Sequence, residues 1–448
     1  MAELDRRELL GRLPRPGSGG RYLLAFSGGL DSTVLLHLLM RTRLRAPLAA
    51  VHVHHGLQVS ADDWVRHCRQ ICREWAVPLI VRRVAPRRGP RRSLEAEARA
   101  LRYAALRGLM RPGDVLLTAH QIEDQAETLL LQLLRGAGPR GLAAMPAVSE
   151  FPPGLHVRPL LTYGRAELEA YARTHRLHWV EDPSNQDRAH ARNFLRHDIL
   201  PRLRTRWPQA DRLLSRSAAL CAEAAELLDA QAEDDLEWCA GEQAGSLSIP
   251  ALLRLTPARR RNLLRAWLGW LELPLPEARH LQRLDREVLQ APACASPRLA
   301  WPGAELRRYR ERLFAMRPLA EPPAGWQVRW RPGDSAVALP DGSRLVARAS
   351  RAPGALRPPR RGETVSLRLA HAGERLRLPG RAGHSALKTL CQAAGIPPWL
   401  RPRLPVLLYD GRIAAIADRW IAAEFAAAPG ERGWRLHWRN PPPGYPAS

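Results

Sequence analysis

The chain has 448 residues, 45% hydrophobic and 25% charged, and a net charge of +25. That length exceeds one ordinary domain and predicts roughly two or three, while the lack of any run of eighteen uncharged apolar residues excludes a membrane-spanning helix. The N-terminus from Met1 to Leu10 mixes charges of both signs and has no apolar signal region, so a cytoplasmic location is expected.

The positive surplus points to a polyanionic partner, because clustered cations gain affinity by releasing condensed counterions. It is carried almost entirely by arginine: Lys388 is the single lysine. Residues 325–448 hold nineteen Arg and Lys388 against eight acids, nearly half of the surplus on just over a quarter of the chain. Such a concentration at one end reads as a nucleic-acid footprint.

In chain order, Arg21 to Phe26, Ala49 to Val53, Pro78 to Val84 and Val115 to Thr118 read as buried strands. Between and after them, Thr33 to Met40, Asp62 to Trp75, Leu94 to Met110 and Glu123 to Leu134 carry apolar residues at helical spacing. This alternation predicts an α/β fold: a doubly wound parallel sheet over residues 1–215, with ligands at the carboxyl ends of its strands. Residues 216–317 read as a helical domain, with stretches such as Ala218 to Glu237 and Arg259 to Leu271. Residues 318–361, with Pro322-Pro323, Pro340-Asp341-Gly342 and Pro358-Pro359, read as a Pro/Arg-rich linker with some β structure. A small basic α+β domain is expected over 362–440.

Six cysteines, Cys68, Cys72, Cys221, Cys239, Cys294 and Cys391, form no C-x-x-C pair. Cys68 and Cys72 lie one helical turn apart among Trp and Ile, a setting that favours core filling over metal or redox chemistry. His52 and His54 share one face of a strand without a visible third ligand, so no metal site is expected there. Trp399, Trp420, Trp434 and Trp438 stand among arginines; they fit either stacking on bases or the core of a small domain, and the core is favoured.

The strongest chemical signal is Ser27-Gly28-Gly29-Leu30-Asp31-Ser32, between a strand and the helix that follows. Paired glycines let the backbone approach an anion and adopt positive φ, and the helix directs free N–H groups and its positive end to the same point. The two serines add hydroxyl donors. This is a pyrophosphate cradle without the G-K-[ST] ending of the Walker loop. A second signal, His120-Gln121-Ile122-Glu123-Asp124-Gln125-Ala126-Glu127-Thr128, opens the helix after the fourth strand. Asp124, Glu127 and Thr128 fall on one helical face, and two carboxylates at the mouth of a nucleotide site suit a cationic substrate.

The loop resembles that of the PP-loop ATP pyrophosphatases, which cleave ATP between the α and β phosphates. The resemblance implies ATP as co-substrate, with Mg²⁺ beside Asp31. It narrows with the second motif followed by Arg135-Gly136-Ala137-Gly138-Pro139-Arg140-Gly141-Leu142, the pattern of the tRNA(Ile)-lysidine synthetase family. Further matches are His52 to Leu57, Ala98-Arg99 with Arg102, Arg158-Pro159-Leu160-Leu161, Asp182-Pro183-Ser184-Asn185 and Arg192-Asn193 with Arg196. Glu123 stands where that family usually has Asp. The terminal domain is similar through Leu387-Lys388 and Gly395-Ile396-Pro397-Pro398-Trp399-Leu400-Arg401, though His384, Ser385 and Ala386 replace the more basic run usual before Lys388.

The family implies an enzyme that joins L-lysine to C2 of the wobble cytidine of an isoleucine tRNA with a CAU anticodon, through an adenylated cytidine. Ser27, Gly28, Gly29, Leu30, Asp31 and Ser32 are then the expected ATP loop, and Asp31, His120, Asp124, Glu127 and Arg99 the catalytic set. Asp124, Glu127, Arg192, Asn193, Lys388 and Arg401 are the expected substrate contacts. Two rivals share the loop: a tRNA thiolase, which would need suitably spaced cysteines, and a small-molecule amidating synthetase, which would not need the basic terminal domain.

Overall fold

The computed structural model describes residues 6–56, 61–86, 94–243, 245–292 and 295–446; Leu57 and Cys294 lie outside the described residues. The chain forms two compact units, Met1–Leu227 and Leu228–Ser448.

The first unit runs α1 (Arg6–Gly11), β1 (Tyr22–Ala25), α2 (Leu30–Met40), β2 (Leu48–His54), α3 (Ala61–Glu74) and β3 (Leu79–Arg83). It continues with α4 (Leu94–Arg107), β4 (Val115–Leu117), α5 (Ile122–Leu134), α6 (Pro139–Leu142), β5 (Val148–Phe151), β6 (Gly154–Val157) and α7 (Arg165–Thr174). The short helices α8 (Ala191–Phe194) and α9 (Leu200–Arg206) follow, then α10 (Ala210–Cys239), which crosses the boundary between the units. Six strands form one sheet in the order β3-β2-β1-β4-β6-β5, parallel except for the β5–β6 hairpin. The period of two decides both faces. Tyr22, Leu24 and Phe26 join one core with α2, α3 and α7 residues such as Leu35, Cys68 and Leu168, whereas Leu23, Val51 and Leu116 join another with Leu106 and Met110. Cys68 and Cys72 are fully buried core residues, and burial pushes their thiols up to about 12 and about 11. The chain leaves β1 for β2 on one side and returns to β4 on the other, so the strand order reverses between β1 and β4. A crevice opens there beyond the strand ends.

The second unit contains β7 (Ser246–Ser248), α11 (Ile249–Arg254), α12 (Pro257–Trp270), α13 (Ala278–Leu284), β8 (Arg298–Trp301), β9 (Ala304–Tyr309) and β10 (Arg312–Met316). The helical stretch thus also carries a four-stranded antiparallel sheet, β7-β10-β9-β8. Next come β11 (Gln327–Arg329), β12 (Val337–Ala338), β13 (Arg344–Ser350), β14 (Val365–Leu369), β15 (Arg375–Arg377), β16 (His384–Ala386) and α14 (Leu387–Ala393). The last strands are β17 (Pro405–Tyr409), β18 (Arg412–Ile416), β19 (Trp420–Ile421) and β20 (Gly433–Arg439).

The expectation of a linker over 318–361 is corrected. β13 pairs with β20 over its full length, from Arg344↔Arg439 to Ser350↔Gly433, and Trp330, Leu339, Leu345 and Leu356 share one core with Val406, Ile416 and Trp438. Alternating apolar residues pay for ordering a segment that its prolines alone would leave open. Trp399 and Trp438 are core residues as well, at 7% and 5% exposure. Trp399 meets Tyr309 and Phe314 edge-on, and the Trp438 indole donates to Ser343 Oγ.

Candidate functional site

The loop after β1 has its geometry forced at Gly28. Its φ is +82°, and a Cβ there would lie 2.9 Å from Cys68 Sγ and 3.3 Å from His67 Cδ2, so only glycine fits without strain. Gly29 is the N-cap of α2, and no side chain caps that helix, which leaves its first N–H groups to an anion. Ser27 and Ser32 are joined by their hydroxyls at 3.0 Å, Ser32 Oγ also donates to Gly29 O, and Gly29 N donates to Ser27 Oγ. Leu30 is buried beneath the loop. His52 braces it from β2, with Nδ1 bonded to Phe26 O at 2.9 Å; this is a structural use of the strand histidine. No group of three or more His, Cys, Asp or Glu arranged for a metal occurs among the described residues.

Asp31 sits in the first turn of α2. Its Oδ1 is buried with no hydrogen-bond partner among the described residues. Burial pushes its carboxyl up to about 7, reinforced by Asp124 and opposed by Arg165 and Arg196. The reversal of strand order therefore brings the loop and the second motif into one electrostatic environment.

Helix α5 begins with a capping box: Gln121 Oε1 accepts from Glu123 N, and Asp124 Oδ2 accepts from Gln121 N at 3.0 Å. Glu123, the departure from the family pattern, has a structural explanation. Its carboxylate accepts twice from Arg165 N, at 3.0 and 3.2 Å, and so caps α7; the longer side chain bridges two helix starts. The face shared by Asp124, Glu127 and Thr128 is real, and two arginines occupy it. Arg192 Nε donates to Glu127 Oε2 at 2.8 Å, while Arg192 Nη2 donates to Thr128 Oγ1 and the Asp124 carbonyl. Arg196 donates to Glu127 Oε1 and Oε2 at 2.6 and 3.1 Å and to Asp124 Oδ1 at 3.1 Å. Both arginines come from the helix that runs from α8 through a π-turn at Leu195–Ile199 into α9.

Glu127, expected as a direct contact for a substrate amine, is wholly buried with both oxygens engaged by guanidiniums. Burial raises its carboxyl above the usual range, and Arg196 and Arg192 oppose the shift. It holds two cations in place. Arg192 is thereby fixed beside the site. Asn193 turns away from it: its Nδ2 pins the loop carbonyls of Ser184 and Asp187 at 3.0 and 2.9 Å. Arg196 escaped the sequence-based set although its spacing, four residues after Arg192, was the available signal.

His120 bonds through Nδ1 to Thr118 Oγ1 at 2.8 Å. Burial lowers its imidazole to about 4, with Asp124 opposing and Arg158, Arg192 and Arg99 assisting, so the ring is neutral at pH 7. Arg99 is exposed, with its guanidinium 5.1 Å over the Tyr103 ring, and it acts on His120 only through its field. Arg102 donates to His55 Nε2. In the second unit Lys388 is exposed on α14 and Arg401 opens the turn Arg401–Arg403. Period-two alternation on β15 exposes Arg375 and Arg377 while burying Leu376.

Family models match three stretches: a PP-loop domain over residues 5–203, a TilS substrate binding domain over 247–314 and a TilS substrate C-terminal domain over 365–438. The tRNA(Ile)-lysidine synthase of Methylococcus capsulatus is 44% identical over 94% of this chain and 96% of its own length. That of Escherichia coli O157:H7 is 43% identical, with 94% and 96% covered. That of Serratia proteamaculans is 41% identical, with 98% and 100% covered. Uncapped loop, buried carboxylate and paired arginines are thus set in a chain alike from end to end to these enzymes, and it belongs to the tRNA(Ile)-lysidine synthase family.

Proposed function

We propose that the chain activates C2 of the wobble cytidine in a CAU-anticodon isoleucine tRNA with ATP and then joins L-lysine to it. The observation that carries this reading is the uncapped start of α2 behind Gly28, with the orphaned Asp31 oxygen beside it. The loop Ser27 to Ser32 holds the pyrophosphate portion of ATP. Cytidine O2 attacks the α phosphorus, the bond to the β-phosphate oxygen breaks and pyrophosphate leaves. The ε-amine of lysine next attacks C2, loses a proton, and AMP departs with the oxygen. Positioning and charge compensation supply the rate.

Asp31 fits a Mg²⁺ that takes one carboxylate and completes its shell with phosphate oxygens and water; the ion would neutralise charge on the leaving pyrophosphate. Asp124 and Glu127 balance Arg192 and Arg196 in charge, and ionisation of Asp31 adds a negative charge that favours a cation. Asp124, whose side chain keeps 13% exposure where that of Glu127 keeps none, is the carboxylate that meets a lysine ammonium group, and Glu127 serves it by fixing the arginines. Arg375, Arg377, Lys388 and Arg401 contribute to a tRNA phosphate surface, which positions the RNA with little sequence information.

The test is pyrophosphate release from ATP with unmodified isoleucine tRNA in the absence of lysine. One equivalent per active site, requiring the tRNA, supports activation of the base. Release without tRNA, or sulfur or ammonia transfer in place of lysine, contradicts it.

A further inference from the structure

Thr118, directly after β4, stands between two imidazoles. Its Oγ1 lies 2.8 Å from His120 Nδ1 and 2.8 Å from Nε2 of His156, which is on β6. His156 Nδ1 is 3.0 Å from Arg158 Nη2, and Arg158 Nη1 donates to Pro146 O at 2.7 Å. Thr118 and His156 are buried at 7% and 3% exposure. The His156 ring packs against Tyr103 and Phe151, each with centroids 5.8 Å away, so its orientation is held.

The direction of this chain follows from donor inventory. A guanidinium has donors only, so His156 Nδ1 accepts. A neutral imidazole carries one proton, which places it on His156 Nε2, and that N–H donates to Thr118 Oγ1. Thr118 Oγ1 has one proton and two lone pairs, and among the described residues His120 Nδ1 is the only acceptor left for that proton, so the hydroxyl donates to it. His120 therefore accepts at Nδ1 and carries its own proton on Nε2, for which no protein partner is found among the described residues. Both rings are neutral at pH 7, since burial lowers His120 to about 4 and His156, aided by Arg158, to about 3.

We propose that Arg158, His156 and Thr118 form a one-way relay that locks His120 as an Nε2–H donor to the nucleotide phosphates, not as a base. Asp31 of the loop and His120 both lie in the field of Asp124, which sets His120 in the same site, and the role rests on the ATP-site reading above. His156 and Thr118 are positioning residues: they touch no substrate and act by fixing a tautomer.

The test separates donor from base by shape. A glutamine amide N–H reaches the place of the imidazole Nε2–H, whereas an asparagine amide mimics the Nδ1 edge. His120→Gln is expected to keep roughly a tenth of the turnover for tRNA-dependent pyrophosphate release, and His120→Asn to lose roughly a hundredfold or more, as for removal of a transition-state donor. Thr118→Val is expected to lower turnover roughly 3–10-fold, the worth of one hydrogen bond, with the KM for ATP nearly unchanged; Thr118→Ser, which restores the hydroxyl, recovers most of the loss. Nitrogen NMR of the full-length protein labelled at histidine is expected to show His120 protonated at Nε2 alone, becoming a tautomer mixture in Thr118→Val. Equal inactivity of both His120 variants with a protonated Nδ1, or unchanged tautomer and turnover in Thr118→Val, would overturn the relay. The NMR reading needs no turnover, so a relay that fails is distinguishable from an ATP-site reading that fails.

Discussion

Replacing Glu127 by glutamine tests whether this carboxylate serves a ligand or the fold. Glu127 is wholly buried and receives three guanidinium hydrogen bonds, at 2.6, 2.8 and 3.1 Å. Glutamine keeps one acceptor oxygen and turns an NH₂ toward a donor, leaving Arg192 and Arg196 without their counter-charge. Removing one partner of a buried ion pair costs about 3–5 kcal/mol. The arginines are 26% and 30% exposed and retain some water, which puts the loss near the lower figure, about 3 kcal/mol. For a unit of this size that lowers the melting midpoint by roughly 6–12 °C. Because both arginines border the nucleotide and amine sites, the KM values for ATP and lysine are expected to rise together. Thermal melts and steady-state kinetics of Glu127→Gln provide the assay. A variant as stable as the parent, with only the lysine requirement raised, would refute the reasoning and return Glu127 to direct contact with the amine.

Other outcomes follow from the same geometry. Gly28→Ala should lose about 1–2 kcal/mol for its left-handed backbone plus the clash with Cys68, whereas Gly29→Ala, whose Cβ meets nothing closer than 3.4 Å, should melt normally and bind ATP poorly. Asp31→Asn should abolish pyrophosphate release yet stabilise the fold as pH rises. Burial raises the native carboxyl to about 7, from about 3.9 for an ordinary aspartate, so the folded parent binds more protons and loses stability between pH 4 and 7. The advantage of the variant should accordingly be roughly 2–3 kcal/mol larger at pH 8 than at pH 5. Arg375→Ala with Arg377→Ala should make the salt dependence of tRNA binding shallower by roughly two in the log–log slope if both reach phosphates, measured by filter binding. A chain ended near Ser350 should fail to fold its second unit, because β13 loses β20 and the core loses Trp438; circular dichroism reads this directly.

The first unit was largely legible because its signals are local. Four apolar runs and four amphipathic ones gave strands and helices within a few residues of β1–β4 and α2–α5, and the Gly-Gly loop announced its own chemistry. The β5–β6 hairpin was missed, since four-residue strands around Pro152-Pro153 leave too short a pattern. With it went His156, whose bond to Thr118 joins residues 38 positions apart. Spacing placed Asp124 and Glu127 on one face correctly, but could not reveal that two arginines some 65 residues later already occupy it. In the second unit, strands β8–β10 hide among arginines: Glu305, 0% exposed, is buried only because Arg298 and Arg307 come with it, a compensation that hydrophobic periodicity does not register. The same blindness made a linker of β13, which pairs over its full length with β20.

The most direct measurement of the central claim is covalent transfer of labelled lysine to RNA. The purified protein is mixed with ATP, Mg²⁺, radiolabelled L-lysine and unmodified isoleucine tRNA carrying a CAU anticodon, and the RNA is digested to nucleosides. Label is expected in a single modified cytidine from the wobble position, stoichiometric with AMP formed, and absent when ATP is omitted or Asp31→Asn is used. AMP formation with no label in the RNA, or label found outside the anticodon, would contradict the account.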